Sequence, residues 1–364
     1  MKRFILSVDG GGIRGIVPAF FLAELKKVLE KNGVKKPYHQ VFDIIAGTST
    51  GGLITLALTV PLYRDRDGDL YDMNGGVSAG KLPELYRMFG DRVFPGNRNR
   101  VRKLVRQVFT SKYSPDPFRE VLAEIFKNHT VRESLTNVLI TAFDMKTMQP
   151  VFIKKRPPDA GGDTDPDFYT VDAALSTAAV PTYFPPVYAG HADSIGDSYC
   201  LIDGGIFCIN PAMSAFIEAR KIFPGSSEYI ILSLGTGYKK EEYKTDNIRN
   251  WGFFNWIAPW LGVPLITAVG EGQKISTNHM LKKLPQVRLF RFDVDLGSEK
   301  AGIDDGSAGN IEYLLKKGRE MWNANKSQIN ELVRLIACNE KQKPGIRSFT
   351  CNEPMTRYNI KLAK

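Results

Sequence analysis

The first apolar run, Phe4-Ile5-Leu6-Ser7-Val8, is short and nearly continuous, and it stops at Asp9 and three glycines. A run of that length closed by a glycine turn predicts a buried strand. From Gly15 to Lys31 the period changes. Ile16, Phe20, Leu25 and Val28 recur near every 3.6 residues with charges between them, which predicts a helix that Asn32-Gly33 stops. Val41 to Ala46 then reads as a second buried strand, Gly47 to Gly51 as a tight turn, and Gly52 to Val60 as an apolar helix.

Further strand patterns fall at 138–143, 151–154, 201–202, 229–234 and 287–292, with helical patterns between several of them. Asp116-Pro117 is a helix start with Asp at the cap, and 310–337 reads as one or two helices. Strand and helix in alternation predict an α/β fold with a largely parallel central sheet. Polar or irregular stretches near 64–80, 92–115 and 245–270 read as insertions in one domain spanning 1–337, with 338–364 as a C-terminal tail; 157–167 is a further loop.

Composition narrows the picture without choosing a function. Hydrophobic residues are 43% and charged residues 24% of 364, which excludes global disorder, collagen-like repeat and coiled coil. The net charge of +10 suits an anionic partner. No helix-turn-helix or base-stacking pattern supports a nucleic-acid polymer as that partner. Four scattered cysteines (Cys200, Cys208, Cys338, Cys351) form no CxxC pair and read as reduced, which fits a cytoplasmic protein. The apolar N-terminus is too short for a signal-peptide core, and the longest apolar stretch, 257–269, is broken by prolines.

Three short motifs carry chemistry. Asp9-Gly10-Gly11-Gly12-Ile13-Arg14-Gly15 joins a strand to a helix, where glycine backbone can approach a bound group and N–H groups at a helix start favour an anion. The same residues satisfy the dinucleotide spacing Gly10-x-Gly12-x-x-Gly15, but the second strand runs into Ala46-Gly47-Thr48-Ser49 with no ribose-binding carboxylate. Gly47-Thr48-Ser49-Thr50-Gly51 is a G-x-S-x-G turn between strand and helix, the context a nucleophilic serine requires. Asp203-Gly204-Gly205 follows a strand, where open α/β sheets place their sites, although an Asx turn before glycines is common.

Taken together, these motifs resemble the patatin-like phospholipase family over roughly residues 3–237. The likeness extends to Ser176-Thr177-Ala178-Ala179-Val180-Pro181, to Asn210-Pro211 and to Leu234-Gly235-Thr236-Gly237, with one departure at Val180. The resemblance implies a three-layer α/β sandwich and a phospholipase acting through a Ser49–Asp203 dyad and an acyl-enzyme. Gly10, Gly11 and Gly12 would form the oxyanion hole, supported by Arg14, with Gly15, Gly47, Gly51, Gly204 and Gly205 as motif glycines and no cofactor. Burial should raise the pKa of Asp203 enough to make it a base. Some bacterial relatives are anti-phage effectors switched on by cyclic nucleotides, so antiviral defence, a cyclic-nucleotide activator and a homo-oligomer are candidate properties.

Rival readings stay open at this point. A Ser49…Asp203…His279 order formally matches an α/β-hydrolase triad, but only one strand precedes the one ending at Ser49, and His279 sits in a polar, basic run. His39, His129 and His191 all precede Asp203. A broad carboxylesterase, a lysophospholipase and a non-enzymatic lipid- or nucleotide-binding module are the alternatives. No metal cluster is visible, and the loop Asp65 to Asp72 lacks calcium-loop spacing. Arg92 to Lys112 is basic with helically spaced apolar residues, a pattern of an anionic-membrane helix, a phosphoanion pocket or an ordinary solvated face. Trp251, Trp256 and Trp260 suit either a lipid-facing rim or a small satellite core. The expected location is peripheral, at the inner membrane surface.

Overall fold

The computed structural model describes residues 1–62, 75–93, 111–162, 165–192, 198–239, 248–249, 251–252, 255–256, 264–297 and 301–342. Eight strands form one sheet: β1 (Lys2–Val8), β2 (Ile44–Thr48), β3 (Asn137–Asp144), β4 (Gln149–Lys155), β5 (Val187–Gly190), β6 (Ser198–Asp203), β7 (Glu228–Leu234) and β8 (Val287–Phe292). The spatial order is β5-β6-β3-β2-β1-β7-β8, with β4 also on β3. The five strands β3-β2-β1-β7-β8 run parallel, while β4, β5 and β6 are antiparallel to their partners.

The middle strands are apolar on both faces because helices cover both. On one side Phe4, Leu6 and Val8 join the large core beneath α1 (Ile16–Lys31) and α2 (Thr50–Thr59). On the other, Ile5, Ile44, Ala46 and Leu139 pack on Ala212, Ala215 and Ala219 of a helix spanning Ala212–Ile222. Alanines one turn apart let that helix lie close to the sheet. The result is the expected three-layer α/β sandwich with a mainly parallel central sheet.

One register detail positions the site. β4 occupies one edge of β3 from Val138 to Asp144. β2 takes the other edge but stops with Thr48 opposite Thr141. β6 fills the rest of that edge, with Asp203 opposite Ala142. The ends of β2 and β6 therefore meet at adjacent positions along β3, although 155 residues separate their terminal side chains in sequence.

The C-terminal boundary expected at 337 falls inside an element. Two helices, Ala308–Ala324 and Lys326–Gln342, break at Asn325. Trp322 packs edge-on against Phe21 of α1, and Glu340 pairs with Lys36, so the folded unit continues to 342. A second adjustment is local: the helix Asp116–Phe126 has Pro115 at its cap, with Asp116 already its first residue.

Candidate active site

The turn after β2 is sharp. Ser49 has φ 54° and ψ −124°, a conformation unfavourable for a residue with a Cβ, and the next residue begins α2. Glycine is required on both sides: a Cβ on Gly47 would strike the Gly51 backbone, and one on Gly51 would strike the Val8 carbonyl. The strain is held by a threonine network that sequence reasoning missed. Thr177 Oγ1 accepts the Ser49 N–H at 2.9 Å and donates to the Thr141 carbonyl at 2.7 Å. Thr141 Oγ1 donates to Thr48 Oγ1 at 2.7 Å, which donates to the Cys208 carbonyl at 2.7 Å. Thr177 lies in a segment that the resemblance had singled out, but nothing in the local sequence marked its hydroxyl as the partner of Ser49.

Asp203 ends β6 beside this turn and is only 4% exposed. Its N–H donates to the Ala179 carbonyl at 3.0 Å, and its Oδ1 accepts the Gly205 N–H at 2.7 Å. The Ser49 side chain lies near enough to the carboxylate to lower its pKa. Burial pushes the Asp203 pKa up to about 7, against the opposing pull of the nearby Ser49 side chain and the Gly205 N–H. Gly204 is needed because a Cβ there would strike Thr141.

The glycine loop lies against the same serine: a Cβ built on Gly10 would stand 3.3 Å from Ser49 Cβ. The expected donor set changes here. The Gly10 N–H is taken by the Ile209 carbonyl at 3.0 Å, and its own carbonyl accepts from Thr236 Oγ1 at 2.7 Å, so Gly10 is a fixed point of the loop and not a donor. The Ile13 N–H is taken by the Ile303 carbonyl and that of Arg14 by Gly11. Among the described residues, the N–H groups of Gly11 and Gly12 are used by no carbonyl or side chain. Gly12, at φ 58°, has no room for a side chain beside the Ile303 carbonyl. Arg14 Nε ties the loop to the Ala301 carbonyl at 2.8 Å, and Gly15 leaves space for the Thr50–Tyr86 hydroxyl pair.

The histidines stand elsewhere. His279 lies on the helix Pro264–Lys282, His129 faces Glu133 at 3.1 Å, and His191 stacks with Phe168 and Tyr199. Among the described residues, the hydrogen bond to the Asp203 carboxylate comes from the Gly205 N–H, and no histidine acts on it. Most of the basic stretch (94–110), the loop Asp65–Asp72, and Phe253, Phe254 and Trp260 lie outside the described residues. At its edges, Arg92 pairs bidentately with Glu124 and Lys112 pairs with Asp304, so these two cations are met by acids from other segments. Trp251 and Trp256 pack edge-to-face at 5.3 Å. Cys200 and Cys208 are free thiols, whereas Cys338 is disulfide-bonded, so the reading of four reduced cysteines fails there and no longer supports a compartment.

Comparison with known proteins agrees with this geometry. Residues 6–216 match the family described as patatin-like phospholipase, a span that covers more than half of the chain. Patatin-like protein 2 of Arabidopsis thaliana is 30% identical over 90% of this chain and 84% of its own length. Patatin-like protein 1 of the same plant is 30% identical over 97% and 88%. A Solanum tuberosum relative, 29% identical over 92% and 90%, bears the name probable inactive patatin-3-Kuras 1, so activity has to be argued from the site itself. The motifs, the sheet that joins them and these relatives agree: the chain belongs to the patatin-like phospholipase family of lipid acyl hydrolases.

Proposed function

We propose that the protein is a serine acyl hydrolase that cleaves fatty-acyl esters of membrane glycerophospholipids. The strained, buried Ser49 beside the buried Asp203, where the ends of β2 and β6 meet along β3, carries this reading. Ser49 Oγ attacks the ester carbonyl and its proton passes to Asp203. The resulting oxyanion accepts from the Gly11 and Gly12 N–H groups, near the positive end of α2. Collapse expels the lysolipid alkoxide, which takes the proton from Asp203. Water then gives a proton to Asp203, attacks the acyl-enzyme and frees the fatty acid, restoring Ser49. A carboxylate near pKa 7 is a far better base than a free aspartate near 3.9.

The rim of the site favours a lipid surface over a soluble ester. The helix Pro264–Lys282 packs by its middle on Ile206 and Ile209 through Gln273, and by its far end near Tyr229 at the base of the sheet. Its first turns therefore project from the same end as Ser49. There Leu265, Ile266 and Val269 are exposed, as is Ile206, three residues after Asp203. Among the described residues no helix is long and apolar enough to cross a membrane, so contact would be at the surface.

Labelling with a serine-reactive fluorophosphonate tests the nucleophile. The wild type should be labelled and Ser49→Ala should not; absence of labelling under every condition tried, cyclic nucleotides included, would favour a binding module.

A further inference from the structure

The glycine loop begins at Asp9, which is 0% exposed. Its carboxylate is gripped by Arg291 from β8, with Nη1–Oδ1 at 2.8 Å and Nη2–Oδ2 at 2.7 Å. The two residues are 282 positions apart. The sheet register explains how they meet. Ser7, Ser233 and Arg291 are paired in one row across β1, β7 and β8, so their side chains share a face. Ser7 and Ser233 are small and fully buried, which leaves a channel along which the arginine reaches Asp9, two residues beyond Ser7 on that same face. On the way Nη1 donates to Ser233 Oγ at 3.0 Å, and Nη2 to Asp293 Oδ2 at 2.6 Å. Lys274 adds a second positive charge near Asp9, and Asp293 a second negative one.

A buried ion pair is a poor way to gain stability, because desolvation offsets the attraction and apolar side chains of similar volume commonly do as well. What a planar, bidentate pair supplies is orientation. Here the oriented group is the first residue of the loop that carries the Gly11 and Gly12 amides. Other contacts also fix the loop: Leu234 to Asp9, Ile209 and Thr236 to Gly10, Ile303 to Ile13 and Ala301 to Arg14. Thr236, Arg291 and Ile303 all lie beyond residue 216, where the family match ends.

We propose that Arg291 is a positioning residue for acyl transfer: its two-pronged hold on Asp9 keeps the Gly11 and Gly12 amides aimed at the oxyanion that forms beside Ser49. The inference rests on the hydrolase reading above.

The test compares wild type, Arg291→Lys and Asp9→Asn on a soluble short-chain nitrophenyl ester, with thermal melting and the fluorophosphonate labelling rate measured in parallel. Arg291→Lys keeps the charge but loses the fork, and Asp9→Asn keeps the shape but loses the charge. For the variants that melt cooperatively, kcat and the labelling rate should both fall about 10²-fold, the cost of a roughly 1 Å misplacement. KM should stay within about twofold, and the midpoint of the pH–rate profile should not move, since Asp203 is untouched. A folded variant with wild-type kcat, or one whose loss lies wholly in KM, overturns the proposal. If Arg291→Lys does not fold, Asp9→Asn decides by the same readouts. If neither folds, Arg291 is a structural residue and the positioning role is rejected. A wild type with neither hydrolysis nor labelling rejects the hydrolase reading instead, which separates the two failures.

Discussion

Ser49 and Asp203 are both buried, and that nearly dry setting determines their pH behaviour. Asp203 must be ionised to take the serine proton, so kcat/KM should rise with pH through a midpoint near 7 and then level off. A midpoint near 4 would mean that the carboxylate is solvated. Stability should move the opposite way. The folded-state pKa is raised above the unfolded value, so Asp203 favours the folded state at low pH, and that contribution is lost as pH rises through about 7. Asp203→Asn should therefore melt higher than wild type at pH 8, by an increment of up to about 4 kcal/mol at about 1.4 kcal/mol per pKa unit, with the gap narrowing towards pH 5. Differential calorimetry at the two pH values measures it. The donors were less legible than the dyad. Glycine spacing marks a loop that can bind an anion, but only the fold shows that Ile209, 199 positions further along the chain, claims the Gly10 amide. Asp9 stood in plain view as the first letter of a motif; its partner Arg291 did not, because no local pattern distinguishes an inward arginine on an apolar strand from an ordinary one.

At the scale of elements, the strands β1, β3, β7 and β8 could be read closely because buried strands are short apolar runs with turns at each end. β2 was displaced by two to three residues. Val41 closes a helical turn, and Asp43 is engaged by Arg3 and by the Phe4 N–H, so the strand starts at Ile44 and continues into the polar Thr48, which stays buried because its hydroxyl is satisfied. β5 was missed because four residues alternating buried and exposed leave too little pattern. The helix Leu82–Val93 was not read from the sequence; Pro83 and Gly90 interrupt its helical pattern. The elbow makes the sharpest prediction at this scale. Gly51→Ala places a methyl on the Val8 carbonyl, which must push β1 away from α2. We expect a loss of about 1–3 kcal/mol, as for overpacking, with activity reduced more than stability alone explains. Chemical denaturation with a parallel esterase assay checks this, and an unchanged elbow activity would contradict it.

For the whole molecule, the sheet divides two cores of unequal size, and the site sits where the carboxyl ends of the parallel strands meet the two ends contributed by β2 and β6. The exposed apolar turn 265–269 stands on that end. Ile266→Asp should weaken binding to phospholipid vesicles by about tenfold or more while leaving soluble-ester hydrolysis within about twofold, measured by sedimentation and by initial rates. Equal loss of both would assign the turn to packing. The net charge of +10 was informative only as a class of partner; its distribution over a folded surface, where Arg92 and Lys112 are already paired, is not a property that composition carries.

In the proposed mechanism, residues 49 and 203 perform the chemistry without a histidine. The direct measurement is fatty acid released from mixed phospholipid vesicles by wild type, Ser49→Ala, Asp203→Asn and His279→Ala, each confirmed folded. Wild type and His279→Ala should release fatty acid at similar rates, with a fall of about 10²–10⁴-fold for the other two. Retained release by Asp203→Asn, or loss by His279→Ala as deep as by Ser49→Ala, would contradict that mechanism.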